Sequence, residues 1–198
     1  QLLNLWTIIE ILIDIERKNN YSKINQICNI LTSVLNASYI RTLLNQLILD
    51  LTHCVNNFSE TIDTINKGDN TLEKFISLLI LDEYNAEKLS LLRQLDNYPV
   101  LQYRINTYCN KLSNRLEIKK LLENHRKRIE WQIMRIYRNR NMIVHDGTHF
   151  PYINIIVQNL HFYVDTLIDT INAYANNGYT SIDTIYSAIQ KEELDHLL

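Results

Sequence analysis

Apolar residues recur every three to four positions along nearly the whole chain, with polar residues between them. This spacing places the apolar side chains on one face of an α-helix, so it predicts helices rather than strands. Short polar segments such as Asn19 to Ser22 separate the periodic stretches. The predicted helices cover about residues 2–18, 23–36, 38–56, 59–67, 71–81, 85–95, 118–145, 152–175 and 182–198.

The clearest break in this pattern is Asn97-Tyr98-Pro99, after which the periodicity resumes at Val100. We predict a boundary there, between an N-terminal helical part (residues 1–97) and a helical core (98–198), although one continuous domain is an alternative. The chain has only three glycines and two prolines, too few for the frequent turns of a β-sandwich or barrel. The predicted fold class is therefore an all-α helical bundle with a long central helix.

Charge is balanced overall but clustered locally. The formal net charge is −2, yet six basic residues fall in one short stretch: Arg126, Lys127, Arg128, Arg135, Arg138 and Arg140. A nearly neutral protein can still present such a surface to a polyanion, although a solvated helix face is an equally simple interpretation.

The three cysteines, Cys28, Cys54 and Cys109, have neither a CxxC spacing nor an even number. They therefore fit neither a disulfide framework nor a zinc site, and they indicate a reducing compartment such as the cytoplasm. His149 and His161 do not share a recognised metal-ligand spacing with nearby aspartates. No glycine-rich phosphate loop occurs either. We expect neither a metal nor a cofactor.

The apolar start of the chain is interrupted by Asn4, Glu10 and Asp14. It lacks the basic residues of a targeting signal and the length of a membrane span, so we expect no membrane association. The chain begins at Gln1, already within a helical pattern. This suggests a piece cut from a longer protein or one trimmed to its ordered part.

Projection of the helix predicted at residues 118–145 gives two apolar faces, at about 100° per residue. The first should face the core, with Arg140 in its middle: Ile129, Ile133, Ile136, Tyr137, Ile143 and Val144. The second lies roughly opposite and is too apolar for a plain solvated surface: Trp131, Met134, Arg138, Asn141, Met142 and His145. Either a dimer interface or packing within one chain could cover this second face.

Arg138, Asn141 and His145 are spaced three and four residues apart, so their side chains can meet. Arg140 points about 140° away from His145 on an ideal helix. We expect it to reach the histidine only if the last turn distorts near Gly147, or across a dimer interface.

Arg140-Asn141-Met142-Ile143-Val144-His145 resembles the R-N-x-x-x-H motif of HEPN domains, a helical superfamily of ribonucleases and toxins. Arg138 satisfies the looser form, with six residues between arginine and histidine. The surrounding sequence, residues 135–147, is most similar to the Apea-like HEPN subgroup of bacterial abortive-infection proteins. Toxins of two-gene HEPN/nucleotidyltransferase modules have a tyrosine two residues after the histidine, where this chain has Gly147.

The resemblance implies a metal-independent endoribonuclease that acts in antiviral defence or as a toxin, in which two HEPN domains meet at a homodimer interface. RNA supplies the nucleophile through its 2′-hydroxyl. His145 would be the acid or base, Arg140 the phosphate clamp and Asn141 an orienting residue, and it stays open which of Arg138 and Arg140 is primary. The remaining assignments are substrate contacts at Arg138, Arg135 and His161, and dimer contacts at Trp131, Met134 and Met142.

Three alternatives stay open. A catalytically inactive HEPN module of a larger defence protein could dimerise or bind RNA without cutting it. The last-turn arginines and His145 could instead cap the helix and pair with Asp146 in an unrelated helical domain. His161 could be packed rather than line the same cleft. Further domains, or an antitoxin or activator, are the other partners that we consider.

Overall fold

The computed structural model describes residues 1–13, 22–148 and 150–197, the last six by their backbone alone. Across these residues the secondary structure is helical and no strand occurs, so the predicted all-α fold is confirmed. A 3₁₀ turn at Asp82–Tyr84 accompanies the α-helices, which are α1 (Leu2–Leu12), α2 (Lys23–Cys54), α3 (Phe58–Asp63), α4 (Thr71–Ile80), α5 (Asn85–Gln94), α6 (Pro99–Leu112), α7 (Arg115–Asp146), α8 (Ile153–Asn176) and α9 (Ile182–Leu197).

The largest departure from the predicted helices is α2, which is continuous through Ala37 and Ser38. The predicted break there was wrong because the polar residues around it are satisfied without leaving the helix. Asn36 is 4% exposed, and its amide donates to the Leu122 carbonyl at 3.5 Å. The Thr32 hydroxyl donates to the Cys28 carbonyl one turn earlier, at 2.7 Å.

The ends of other helices follow local chemistry. Pro99 is the first residue of α6, a position where its missing N–H is not needed. The long helix α7 begins at Arg115, three residues earlier than predicted, because the Asn114 side chain accepts a hydrogen bond from the Leu116 N–H at 2.9 Å. The predicted extension of the first helix to residue 18 falls outside the described residues.

One compact unit comprises Gln1–Ser38 and Leu122–Leu198. Its core contains apolar side chains of α1, α2, α7, α8 and α9. Trp6 is buried there, with its ring centroid 5.7 Å from that of Tyr137. The Tyr186 hydroxyl donates to the Leu12 carbonyl at 3.0 Å and ties α9 to the end of α1.

The other compact unit is Tyr39–Leu121. Its core is a separate cluster in which Phe58 meets Phe75 edge to face, with centroids 5.9 Å apart. Arg104 pairs with Asp50 in this unit. Gly68 has φ +116°, and a Cβ there would lie 2.6 Å from the Lys74 nitrogen. Only glycine fits that turn.

The two units do not divide at the predicted boundary near residue 97. They divide at 38/39 and 121/122, inside helices α2 and α7, which each contribute residues to both units. A boundary inside a continuous helix has no break in periodicity and no proline or glycine to mark it. Among the described helices, none combines the length and apolar character needed to cross a membrane.

Candidate functional site

The inward face of α7 agrees largely with the projection. Ile129, Ile133 and Ile136 are buried, and Tyr137 and Ile143 are partly buried against the same core. The prediction for Val144 was wrong, because this side chain is 49% exposed. Ile143 is the last residue of α7 that packs on the core, so the final turn of the helix extends beyond it.

The fully buried polar residue on this face is Asn139, at 0% exposure, rather than Arg140, which is half-buried. The Asn139 amide nitrogen donates to the Arg135 carbonyl at 3.0 Å. Its oxygen accepts the Phe150 N–H at 3.2 Å. Asn139 therefore fastens the segment that follows α7 onto the helix. Sequence reasoning missed it, although an amide three residues after Ile136 and four before Ile143 falls beside the apolar stripe and so needs partners.

The predicted stop of α7 is confirmed. The helix ends at Asp146, Gly147 adopts φ +64°, and the Thr148 N–H donates to the Met142 carbonyl at 3.4 Å. This is the geometry of a glycine-terminated helix. Because α7 stays α-helical to Asp146, the last turn does not distort, and the backbone keeps Arg140 and His145 about 140° apart.

A hydrogen bond turns the Arg140 guanidinium toward the histidine side of the helix. Arg140 Nη1 donates to Asn141 Oδ1 at 3.2 Å. Asn141 lies one turn before His145 and about 40° from it around the axis. The Arg140 side chain starts on the inward face and thus has its charged end on the side of Asn141 and His145. The sequence predicted that it would reach this side only through a distorted last turn or across a dimer interface.

His145 is exposed at the end of α7. Within the described residues, no ion pair joins Asp146 to either His145 or Arg140, and no carboxylate pairs with Arg140. The arrangement offers a solvent-accessible imidazole, an amide and a cation without an acidic partner. Such a group can bind an anion such as a phosphate.

The outward face of α7 is exposed and basic. Trp131 is 75% exposed, so contacts within the described chain do not bury it. Met134, Asn141 and Met142 are half-buried. Between Asn124 and His145, the exposed residues within about 60° of Trp131 around the helix axis are Asn124, Lys127, Arg128, Arg135, Arg138 and His145. We call this the outward face of α7. Between Asn124 and His145 it carries no carboxylate.

Beside this face, Arg135 is held against an aromatic pair. Its guanidinium carbon lies 4.9 Å from the centroid of the Tyr152 ring. The Tyr152 and Phe150 rings stack at 5.3 Å, with 9° between their planes. Because the Phe150 N–H is bound by Asn139, the buried amide sets the position of the exposed stack. Arg135 was predicted from the sequence as a substrate contact, whereas neither aromatic residue was predicted to have a role.

His161 is not packed in the core. It lies exposed on α8, and its Nδ1 is 2.9 Å from Asp165 Oδ2, one turn along the same helix. This bond is to its own helix and not to α7. His149, considered with it as a metal ligand, lies outside the described residues. Within those residues, no group of three or more metal-ligating side chains comes together.

His125 is half-buried. Its Nδ1 lies 2.7 Å from Asn36 Oδ1. Because that oxygen can only accept, Nδ1 carries the proton. Burial, with Arg128 nearby, lowers the pKa of His125 to about 4. The ring is therefore neutral near pH 7 and serves to join α7 to α2.

Comparison of the chain with protein-family models, with curated proteins and with solved structures gives no match.

Proposed function

We propose that the protein is a metal-independent endoribonuclease of HEPN type that acts as a homodimer in the cytoplasm, in antiviral defence or as a toxin. The observation that carries this proposal is the group at the end of α7. There the Arg140 guanidinium binds Asn141, one turn from the exposed imidazole of His145. The basic outward face of α7 leads to this group.

The chemistry needs an anion site and a proton carrier. The RNA 2′-oxygen attacks the neighbouring phosphorus as the bond to the 5′-oxygen breaks, which leaves a 2′,3′-cyclic phosphate and a 5′-hydroxyl. The 2′-hydroxyl loses a proton and the 5′-oxygen gains one. Imidazole can perform either transfer near neutral pH, and this is the role of His145.

Arg140 holds the non-bridging phosphate oxygens and stabilises the charge that develops on them. Asn141 fixes the guanidinium through its side-chain oxygen. Arg138 lies on the same side of α7 as His145, two turns earlier, where it can bind an adjacent phosphate. Arg138 is thus an auxiliary contact and Arg140 the primary one.

The homodimer would form through the apolar side chains near the helix end. Met142 is half-buried and Val144 is 49% exposed, so a second copy can cover both next to His145. This contact would bring two Arg140–Asn141–His145 groups into one cleft.

The test is cleavage of total RNA in the presence of a chelator. Wild-type protein should cut, and His145→Ala should reduce the rate by roughly 10²- to 10⁴-fold, the usual contribution of a general acid or base. Arg140→Ala should lose about 10²- to 10³-fold, as for removal of an oxyanion-binding donor.

Two matched variants control for the loss of a histidine or an arginine. His53→Ala and Arg115→Ala each remove an exposed side chain from the other compact unit, and both should cut at the wild-type rate. Cleavage that requires a divalent metal, or that survives His145→Ala, would contradict the proposal. RNA that is bound but intact in every condition would favour the inactive binding module.

A further inference from the structure

The outward face of α7 places a large aromatic ring among cations. Trp131 is 75% exposed, and the chain's other tryptophan, Trp6, is 1% exposed. Lys127 and Arg135 lie one turn before and after Trp131 on the same side of the helix. An exposed indole next to basic side chains matches what single-stranded nucleic acid requires, because cations bind its backbone while an aromatic ring stacks on a base.

The stack of Arg135, Tyr152 and Phe150 beside Trp131 also combines a cation with aromatic rings. The Arg135 guanidinium carbon lies 4.9 Å from the centroid of the Tyr152 ring, and Tyr152 is itself stacked on Phe150. Arg135 Nη1 donates to Gln132 Oε1 at 3.4 Å, and a guanidinium held in this way can present its other N–H groups to a base or a phosphate. Tyr152 is 37% exposed. The Trp131 indole and the adjacent Arg135–Tyr152 stack can therefore both stack on bases.

Charge favours RNA over a second protein copy at this position. In a two-fold dimer the same surface of each chain meets itself. An interface centred on Trp131 would set Lys127, Arg128 and Arg135 of one copy against the same cations of the other, with no carboxylate on that face between Asn124 and His145 to offset them. The exposed carboxylate of Asp146 lies 15 residues from Trp131, about 22 Å along the helix axis. Such like-charge contacts are unfavourable. These cations can instead bind the phosphates of a polyanion, and the release of its counterions favours that binding.

We infer that Trp131, with the Arg135–Tyr152 stack beside it, binds an unpaired base of single-stranded RNA. This deepens the proposed function and rests on it, since it takes RNA as the ligand. Trp131 is 14 residues before His145, about 21 Å along the helix axis. It therefore contacts a nucleotide several positions from the scissile phosphate. Trp131, which was predicted from the sequence as a dimer contact, is thus proposed as an RNA contact instead.

The experiment measures tryptophan fluorescence with an RNA whose 2′-hydroxyls are methylated, which can bind but cannot be cut. A single-stranded oligomer should quench the exposed Trp131, while a duplex of equal charge should not, because its bases are already stacked. Trp131→Ala should weaken binding of the single strand by roughly 5- to 150-fold. Trp131→Phe should keep affinity within about threefold, since a phenyl ring also stacks.

A paired charge variant separates stacking from backbone contact. Lys127→Ala with Arg128→Ala should reduce the slope of log affinity against log salt by roughly 1.4, about 0.7 for each lost phosphate contact on a single strand. Trp131→Ala should leave that slope unchanged. A salt slope that falls equally in Trp131→Ala would contradict stacking.

Other outcomes overturn the inference in distinguishable ways. If the single strand binds without quenching and Trp131→Ala binds equally well, base stacking at Trp131 is wrong while the nuclease proposal stands. If Trp131 emission shifts with protein concentration in the absence of RNA, a second copy covers it. If neither binding nor cleavage of any RNA occurs, the proposed function fails as well.

Discussion

Ile133 and Trp131 are two residues apart on α7 and meet opposite environments. Ile133 is fully buried in the core, whereas Trp131 is 75% exposed. The buried residues of the inward face are apolar except for Asn139, whose amide is satisfied on both sides. The outward face carries cations, an indole and an imidazole without an acidic residue between Asn124 and His145.

The residues of the inward face stabilise the fold, whereas those of the outward face are accessible to a ligand. Nothing on the outward face is needed to bury the core, so its residue types are free to serve binding. The two faces are linked at Asn139, because this buried amide holds the Phe150 N–H and thereby sets the stack against Arg135. Substitutions on the inward face should therefore lower the free energy of unfolding, and substitutions on the outward face should weaken RNA binding.

The largest expected effect on stability is on the inward face. Ile133→Ala removes a fully buried side chain and should lower the free energy of unfolding by about 2–5 kcal/mol. Trp131→Ala should change it by less than about 0.5 kcal/mol, since the indole is mostly in solvent. Chemical unfolding measures both. Similar losses from the two substitutions would show that the faces are not distinct.

A smaller loss is expected at the link between the faces. Asn139→Ala leaves the Phe150 N–H without its acceptor, and should lower the free energy of unfolding by about 1–3 kcal/mol. Hydrogen exchange of the Phe150 amide should become faster. Asn124→Ala, an exposed amide on the same helix, should stay within about 0.5 kcal/mol of wild type. An unchanged Phe150 amide in Asn139→Ala would refute the link.

The smallest effect concerns pH and His125, which lies between the faces. Its pKa is lowered to about 4 by burial and by Arg128, against about 6.5 in an unfolded chain. As the pH falls through this window, the unfolded chain binds the proton first, so His125 makes the folded chain less stable at pH 4 than above about pH 6.5. The slope should be less than about 1.4 kcal/mol per pH unit, because solvent screens the half-buried ring.

His125→Gln removes the titrating group and keeps a donor toward Asn36. Free energies of unfolding measured across the same pH window should decline less steeply in this variant than in wild type. If wild type and variant have equal slopes, the Asn36–His125 contact does not keep the ring neutral.

Periodicity was enough to predict most of the inward face and the end of α7, because one helix face either packs on the core or does not. Ile129, Ile133 and Ile136 are buried as expected, and Gly147 ends the helix as expected. These features depend on residues close together in sequence.

The features that were missed depend on distant partners. Asn36 looked like part of a helix break, but its side chain binds Leu122 and His125, more than eighty residues away. Asn139 fixes the segment after α7 because its side-chain oxygen accepts the Phe150 N–H, a contact that helix periodicity cannot show. The direction of Arg140 follows from one side-chain bond to Asn141. The nuclease role itself stays a prediction that rests on the motif and this geometry.

The most direct measurement of that prediction is a double-mutant cycle on RNA cleavage under single-turnover conditions. If Arg140 and His145 act on the same phosphate, the doubly substituted R140A/H145A protein should cut no more slowly than His145→Ala alone, because residues that act as a unit are not additive. Losses that multiply in the double variant would mean that the guanidinium and the imidazole work independently, and would contradict a single site at the end of α7.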